Sequence, residues 1–212
     1  KCHGLVIQHC MTDILRNLTP RLLGIGQQQT PIRLRTLVRL RWLAVIGQTF
    51  TVLFVSFILD YQLPFAACLA AIALSAWINV FLTLRWRAGQ ILSTRAAGLL
   101  LAYDVVQLAL LLYLTGGLEN PFAFLFLVPV TVSATSLSLR WTFALGSMAF
   151  VFSSLLSVYH LPLPWFAGET VELPKNYVAG MWIAIMYGTG FSAIYARRMY
   201  EQTQMMSAAL TA

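Results

Sequence analysis

Residues 96–115 read AAGLLLAYDVVQLALLLYLT, a run of 20 residues in which the only charged side chain is that of Asp104. An α-helix rises about 1.5 Å per residue, so a run of this length matches the hydrocarbon core of a bilayer, roughly 30 Å thick. We therefore predict that residues 96–115 form a membrane-spanning helix and that the fold is built from helices of this kind.

Five further apolar runs of comparable length place most of the chain in lipid. The 212 residues are 59% hydrophobic and only 10% charged, and their mean hydropathy is +0.75. A soluble domain of this size does not need so much apolar surface for its core. We predict an all-α integral membrane protein, a bundle of six transmembrane helices. The predicted spans are residues 42–59, 63–84, 96–115, 121–139, 141–160 and 177–196.

The charged residues between the runs alternate in sign along the chain. One set of connections and ends is basic, with Arg33, Arg35, Arg39, Arg41, Arg85, Arg87, Arg95, Arg140, Arg197 and Arg198. The other set holds Asp60, Glu119, Glu169 and Glu172, with Lys175 as its only basic residue. Because basic connections stay on the cytoplasmic side, we predict that both termini are cytoplasmic. The basic residues form no single stripe with interleaved aromatics, which argues against direct nucleic-acid binding.

The first 30 residues contain none of the predicted spans. The chain begins with Lys1, and Met11 is an alternative start, so we expect residues 1–30 to be a leader that is disordered or partly untranslated. The cysteines and histidines of this segment match no common zinc spacing, and we predict no metal site; they are Cys2, His3, His9 and Cys10. Three cysteines without a CxxC pair also give no disulfide framework.

The outer connection between the third and fourth runs, residues 115–122, reads TGGLENPF. Adjacent glycines permit positive backbone torsions and the close approach of a ligand, and Asn-Pro favours a turn from which Pro121 starts a helix. A quinone ring would find donors in Asn120 and the glycine amides, and an aromatic wall in Phe122 and Phe124. The same residues suit any tight turn between helices. On these residues alone, a plain turn and a quinone site both remain open.

Three side chains in or beside the apolar runs are further candidates for function. Asp104 lies in mid-run, where an ionised carboxylate is costly unless it is paired, and Asn79 and Arg41 are its candidate partners. A structural pair and a signalling or proton-relay role both remain open for it. Pro129 removes a backbone hydrogen bond within the fourth run and predicts a kink, either as a signalling lever or as an ordinary membrane proline. His160, near the outer end of the fifth run, would be a quinone donor or a polar residue at headgroup level.

Small residues recur at every fourth position of the sixth run, as Gly180, Ala184, Gly188, Ser192 and Ala196. A stripe of small residues allows another helix to approach closely. The partner is either another helix of the same bundle or the same helix in a homodimer.

A heptapeptide in the outer loop has the pattern GGxxNPF, formed by Gly116, Gly117, Asn120, Pro121 and Phe122. It is accompanied by RLRTL at residues 33–37 and RWLA at residues 41–44, which enter the first run, and by PVTVSAT at residues 129–135. These segments resemble the transmembrane sensor domain of the RegB/PrrB (ActS-like) redox-responsive sensor histidine kinases. The resemblance runs from about residue 31 to the end of the chain, and it identifies residues 31–196 with that domain.

The resemblance implies a function that the residues alone leave open. In that family the heptapeptide is associated with ubiquinone sensing, so its five fixed residues would line or shape a quinone site, whereas Leu118 and Glu119 inherit no role. Residues 197–212 would begin a cytoplasmic signalling helix. The kinase core, absent from this chain, would bind ATP, autophosphorylate on His and pass phosphate to a response regulator. The full-length protein would be a homodimeric histidine kinase of the bacterial inner membrane, with no catalytic residue in this chain.

Two other classes of protein remain as alternatives. A small-molecule transporter usually has repeated halves, broken helices and several polar groups at mid-membrane, whereas this sequence shows no internal repeat and offers mainly Asp104. A membrane-embedded enzyme needs a catalytic constellation. The sequence contains no HExxH or GxSxG motif and no pair of intramembrane carboxylates.

Overall fold

The computed structural model describes residues 34–85, 92–163 and 173–211. In these ranges the chain forms six α-helices: α1 (Leu34–Phe57), α2 (Phe65–Arg85), α3 (Thr94–Leu114), α4 (Leu127–Ser136), α5 (Leu139–Leu156) and α6 (Lys175–Thr211). Two 3₁₀ helices, Gly117–Glu119 and Pro121–Phe126, connect α3 to α4. Each predicted span corresponds to one of the six α-helices, so the predicted helical bundle is confirmed.

Five of the described helices, α1, α2, α3, α5 and α6, are long and apolar enough to cross a membrane. The fourth span is shorter, because the chain is a 3₁₀ helix over Pro121–Phe126 and becomes α-helical only at Leu127. A 3₁₀ helix rises about 2.0 Å per residue, so the apolar segment Pro121–Ser136 extends over roughly 27 Å. Its length is therefore close to the roughly 30 Å of the hydrocarbon core.

The helix is interrupted before Pro129, at Leu127, and not at the proline as expected. Pro129 is the third residue of α4, in the first turn of the helix, where backbone N–H groups have no partner within the helix in any case. The continuous α-helix predicted over residues 121–139 is therefore replaced by a change of helix type at Leu127, before the proline. The fifth and sixth predicted spans also differ at their ends, since α5 stops at Leu156 and α6 continues to Thr211.

Buried apolar side chains divide the helices into two groups. The larger core lies mainly among α3, α4, α5, α6 and the 3₁₀ helices and includes Leu101, Phe126 and Ile185, with Leu37 added from α1. A smaller core joins α1 to α2 through residues such as Val52 and Ile72 and reaches α3 near its C-terminal end, at Leu111. The helices α3 to α6 thus form the main bundle, and α1 and α2 form a hairpin beside it.

Large apolar side chains also cover the outside of the bundle. Phe57 is 73% exposed, Leu84 82% and Tyr187 80%. Soluble monomeric proteins rarely expose contiguous apolar surface on this scale. The outer surface therefore suits contact with lipid.

Some of the small residues of α6 pack against another helix of the same chain. At Gly188 an added Cβ would lie 3.0 Å from the side chain of Leu127, so α4 and α6 approach closely at this point. Around the corresponding position of Gly180, no atom of the described residues lies within 4 Å apart from the neighbouring residues and backbone of α6 itself. Packing inside the bundle therefore explains one part of the stripe, and the homodimer stays a prediction.

Candidate functional site

The loop between α3 and α4 turns on two glycines in the left-handed region of backbone conformation. The φ angle of Gly116 is 103° and that of Gly117 is 57°, values that residues with a Cβ rarely adopt. An added Cβ would lie 2.5 Å from the side chain of Leu163 at Gly116, and 2.5 Å from the carbonyl oxygen of Leu156 at Gly117. Backbone conformation and available space therefore both require glycine at these positions.

Asn120 uses its whole side-chain amide to close the loop. Its Nδ2 donates to Thr115 Oγ1 at 2.8 Å and to the Thr115 carbonyl oxygen at 3.1 Å. Its Oδ1 accepts from Phe122 N at 2.9 Å and thereby caps the 3₁₀ helix that begins at Pro121. The Asn120 amide, which the sequence suggested as a donor to a quinone carbonyl, is thus already hydrogen-bonded to Thr115 in this structure.

The loop is also attached to the segment that precedes α6. Leu118 is fully buried, and Glu119, only 8% exposed, accepts a hydrogen bond from Leu173 N at its Oε1 over 3.3 Å. Because Leu173 lies just before Lys175, the first residue of α6, this bond joins the loop to the start of that helix. Glu119 therefore has a structural role although it occupies a variable position of the heptapeptide.

On its other side the loop contacts the segment that follows α5. Leu161 N donates to the Tyr113 carbonyl oxygen at 2.9 Å, which ties this segment to the end of α3. The ring of His160 lies against Gly117, and its Nδ1 is 2.9 Å from the Leu161 carbonyl oxygen. The loop is therefore a packed junction of α3, α4, α5 and α6 rather than a simple tether.

A cavity of about 670 Å³ lies between α1, α3 and α4 and reaches this loop. At one end, called the loop end, it is lined by Thr115, Asn120, Pro121 and Phe122. Between the helices its walls are mainly leucine and valine side chains. Sites for small molecules typically have volumes of about 300–1,000 Å³ with mostly apolar walls, so the cavity has the size and lining of a ligand site.

The opposite end of the cavity, called the polar end, contains Arg41, Ser75 and Asp104. Arg41 Nη2 on α1 lies 3.3 Å from Asp104 Oδ1 on α3 and 3.3 Å from Ser75 Oγ on α2. The guanidinium also lies over the ring of Tyr103, 5.2 Å from its centroid. The ion pair offsets the free-energy cost of placing the Asp104 carboxylate within an apolar span.

Arg41 has more hydrogen-bond donors than partners. The residue is only 4% exposed, and its Nε and Nη1 find no hydrogen-bond acceptor among the described residues. A buried donor without an acceptor costs free energy, and the cost is greater for a charged group. The polar end therefore contains two buried donors without an acceptor, on a side chain that contributes to the lining of the cavity.

A second polar bridge crosses from α1 to α3 along the cavity. Gln107 Nε2 donates to Gln48 Oε1 at 3.0 Å, and both side chains line the cavity. The close packing of α1 is with α2. Across the cavity, α1 is therefore joined to α3 by two polar bridges, from Arg41 to Asp104 and from Gln107 to Gln48.

The two glutamines and Ser75 were not predicted as site residues. A neutral amide or hydroxyl in an apolar run is a weaker signal than a charge, and serine is common in membrane helices. The amide of Gln107 could have been recognised, because it follows Asp104 by three residues and so lies on the same face of α3.

The residues of the heptapeptide occupy two different places in the site. Asn120, Pro121 and Phe122 line the loop end of the cavity. Gly116 and Gly117 lie behind them, packed against the segment that follows α5, and determine the path of the loop. The heptapeptide thus contributes a lining and the turn that supports it.

Two of the other predicted residues, Asp104 and Pro129, line the cavity. Asp104 lies at the polar end, where its partner is Arg41, while the alternative partner Asn79 donates to the Val38 carbonyl oxygen at 3.4 Å. Pro129 lies in the α4 wall. In the described part of the chain Phe124 is not among the residues that line the cavity.

No metal centre is formed by the residues that the structure describes, since they contain no group of three or more His, Cys, Asp or Glu side chains. Cys68 is a buried free thiol in α2. The cysteines and histidines of the leader lie outside the described residues.

The helices and the cavity define a multi-pass helical membrane domain, and the chain belongs to the family of PilS-like transmembrane domains, whose family model matches residues 27–206. It is similar to the sensor histidine kinase RegB of Cereibacter sphaeroides, with 39% identity over 180 residues, 85% of this chain and 39% of the relative. A second RegB, from a designated strain of the same species, is 40% identical over 181 residues, with the same shares. The chain thus spans 39% of the length of these curated relatives, and no solved structure matches it. The resemblance to the RegB/PrrB family is confirmed.

Proposed function

We propose that this chain is the membrane sensor domain of a two-component histidine kinase and that it responds to the ubiquinone pool. The observation that carries the proposal is the apolar cavity that ends at Asn120, Pro121 and Phe122 of the GGxxNPF loop. The attachment to a kinase is supported by similarity to RegB over 85% of the chain.

The shape and lining of the cavity suit a quinone. Such a molecule has a planar ring with two carbonyl acceptors and a long isoprenoid chain. At the loop end, Phe122 offers a flat apolar surface, and the apolar wall continues through Leu125 of the same 3₁₀ helix to Val128 and Val132 of α4. A ring and its chain therefore fit lengthwise between α1, α3 and α4.

The contacts of the loop provide a route by which binding would affect α6. The loop is joined to the start of α6 by the bond from Leu173 N to Glu119, and α4 is the main packing partner of α6. A ligand that binds one arrangement of α1, α4 and the loop more tightly shifts the population toward that arrangement. Because α6 runs without a break to Thr211, a shift at the loop would reach the residues beyond the membrane.

The proposal also covers the longer protein and its surroundings. We place the phosphorylated His and the ATP-binding core in the part of the kinase that this chain does not span, and we propose a response regulator as the acceptor of phosphate. The protein would be a homodimer in a bacterial inner membrane. The basic residues Arg39, Arg85, Arg95 and Arg140 support an orientation with both ends of the domain in the cytoplasm.

A variant that fills the cavity tests the proposal. Gly47 lines the cavity and has open space around the position of an added Cβ, so Gly47→Leu would occupy the cavity while leaving α1 helical. Gly180→Leu adds the same side chain to α6 in open space outside the cavity and is the matched control.

The measurement is quenching of tryptophan fluorescence by decylubiquinone, with the domain in lipid nanodiscs. We expect saturable quenching for the native chain and for Gly180→Leu, and loss of saturable quenching for Gly47→Leu. Equal binding by the two variants, or no saturable binding by the native chain, would reject the proposal.

A further inference from the structure

We propose that the amides of Gln48 and Gln107 form the polar contact of the ligand site and that an oxygen of the quinone ring is hydrogen-bonded there. This inference rests on the proposed function and deepens it, since it assigns the head group to the glutamine pair, between the polar end and the loop end of the cavity. The isoprenoid chain then lies along the apolar wall toward the loop end.

Each glutamine keeps one polar atom free. The hydrogen bond of the pair, from Gln107 Nε2 to Gln48 Oε1 at 3.0 Å, leaves Gln48 Nε2 and Gln107 Oε1 without a partner among the described residues. Both side chains line the cavity, and neither atom is among the polar atoms that are buried without a partner in the described part of the chain. The pair therefore offers an accessible donor and an accessible acceptor to a molecule in the cavity.

The chemistry of the pair matches both redox forms of a quinone. A quinone oxygen accepts hydrogen bonds, and Gln48 Nε2 has N–H groups to donate. A quinol hydroxyl also donates, and Gln107 Oε1 is an acceptor for it. A site with both functions therefore binds the head group whether the ring is oxidised or reduced.

Several other donors along the cavity are already engaged or are closed off. Asn120 Nδ2 donates twice to Thr115. The hydroxyls of Thr115 and Thr51 each donate to a backbone carbonyl oxygen one turn earlier, at 2.8 Å and 2.9 Å. The unpartnered nitrogens of Arg41 are buried. A ring oxygen in the cavity therefore finds an accessible donor at the glutamine pair.

The apolar wall between the pair and the loop end leaves space for the chain of the ligand. Gln107 precedes Thr115 by eight positions, which corresponds to about 12 Å at about 1.5 Å per residue. Apolar side chains such as Val52 and Leu111 line the cavity over this distance. A ring at the glutamine pair therefore places its chain beside these residues and toward Phe122.

The position of the pair also connects the ligand to the packing of the helices. Gln48 belongs to α1 and Gln107 to α3, and their hydrogen bond is one of the two polar bridges between these helices across the cavity. A ring that bonds to the pair adds to this bridge. Binding therefore favours the arrangements in which both amides lie within reach of the ring.

A double variant tests the inference. Gln48→Met with Gln107→Met removes both amides, keeps unbranched side chains of similar length and leaves neither amide unpaired, so we expect the fold to be retained. Gln48→Met alone, which removes the proposed donor, is the second variant. Thr51→Val is the control, because it replaces another polar side chain of the cavity wall whose hydroxyl is already bonded. Thermal unfolding of each protein verifies that it is folded.

Two ligands are compared in lipid nanodiscs. One is decylubiquinone, and the other is decylbenzene, which has a ring and the same alkyl chain but no oxygen. Binding of decylubiquinone is measured by quenching of tryptophan fluorescence, and binding of decylbenzene by its displacement of decylubiquinone. Loss of a hydrogen bond to the ring weakens only the first ligand, whereas a distorted cavity weakens both.

We expect both methionine variants to bind decylubiquinone about tenfold more weakly than the native chain and to bind decylbenzene equally well. We expect no change for Thr51→Val. Native-like binding of decylubiquinone by the methionine variants, equal weakening for the two ligands, or an equal loss in Thr51→Val would each overturn this inference. The proposed function would still stand if the native chain binds decylubiquinone and Gly47→Leu does not. No saturable binding by the native chain would overturn both.

Discussion

Asn120 holds Thr115 by two hydrogen bonds, from its Nδ2 to the Thr115 hydroxyl at 2.8 Å and to the Thr115 carbonyl oxygen at 3.1 Å. The Asn of the heptapeptide thus links Thr115, the residue that caps the C-terminus of α3, to the 3₁₀ helix that leads into α4. Because Pro121 follows at once and cannot donate, the cap on Phe122 N is the first bond that orders the new helix. Asn120 therefore fixes the conformation of the loop, and the loop forms one end of the cavity.

Replacement of Asn120 tests this structural role. Asn120→Ala removes both donors and the cap, and we expect the free energy of unfolding to fall by about 1–3 kcal/mol. Asn120→Asp retains the acceptor for Phe122 N and should lose less. Unfolding of the purified domain in mild detergent measures both variants. A native-like stability of Asn120→Ala would show that these bonds do not hold the loop.

The two glycines of the loop should tolerate no side chain. Gly117→Ala combines a positive φ, which costs about 1–2 kcal/mol with a Cβ, with a contact of 2.5 Å to the Leu156 carbonyl oxygen, so we expect a loss of at least about 2 kcal/mol. Gly146→Ala in α5 is the control, because it has open space and should be neutral or stabilising by up to about 1 kcal/mol. Equal stability of the two variants would contradict the left-handed turn.

The ion pair between Arg41 and Asp104 should appear as a strong coupling in unfolding measurements. Asp104→Leu leaves the buried guanidinium without its counter-charge, and we expect a loss of about 3–5 kcal/mol. Arg41→Leu with Asp104→Leu removes both charges and should recover much of that loss, which a double-mutant cycle detects. Additive effects of the two single replacements would mean that the side chains do not interact.

The orientation of the helices predicts opposite labelling of two exposed positions. Gln62 lies between α1 and α2 on the proposed outer side, and Ser93 lies just before α3 on the proposed cytoplasmic side. In chains whose native cysteines are replaced by serine, Gln62→Cys should react with an impermeant maleimide in intact spheroplasts. Ser93→Cys should react only after the membrane is permeabilised. The opposite pattern would invert the topology.

The lengths and charges of the apolar runs were sufficient to predict the helical bundle, since a bilayer fixes the length of a span. The break in the fourth span could not be predicted in this form. Pro129 indicated a disturbance, but the switch to a 3₁₀ helix ahead of Leu127 depends on the Asn120 cap and on the packing of the loop. Sequence spacing indicates which residues share one helix face and does not show which helices face each other across a cavity.

In the candidate site too, contacts between residues close in sequence were easier to predict than contacts between different helices. The heptapeptide pointed to the loop end, because its glycines and Asn120 act within a few residues of one another. The polar end is assembled from three helices. The sequence named Arg41 as one of two candidate partners of Asp104, but the choice between Arg41 and Asn79 and the contact with Ser75 depend on how the helices pack. Gln48 and Gln107 meet in the same way.

The most direct measurement is quinone binding by two phenylalanine variants of the loop. Phe122 and Phe124 belong to the same 3₁₀ helix and are 46% and 44% exposed, but Phe122 lines the cavity and, in the described part of the chain, Phe124 does not. Each is replaced by alanine, and the dissociation constant of decylubiquinone is determined in nanodiscs. We predict binding that is weaker by about tenfold for Phe122→Ala, from the apolar area lost, and native-like binding for Phe124→Ala. Equal affinities of the two variants and the native chain would contradict the claim that this cavity is the quinone site.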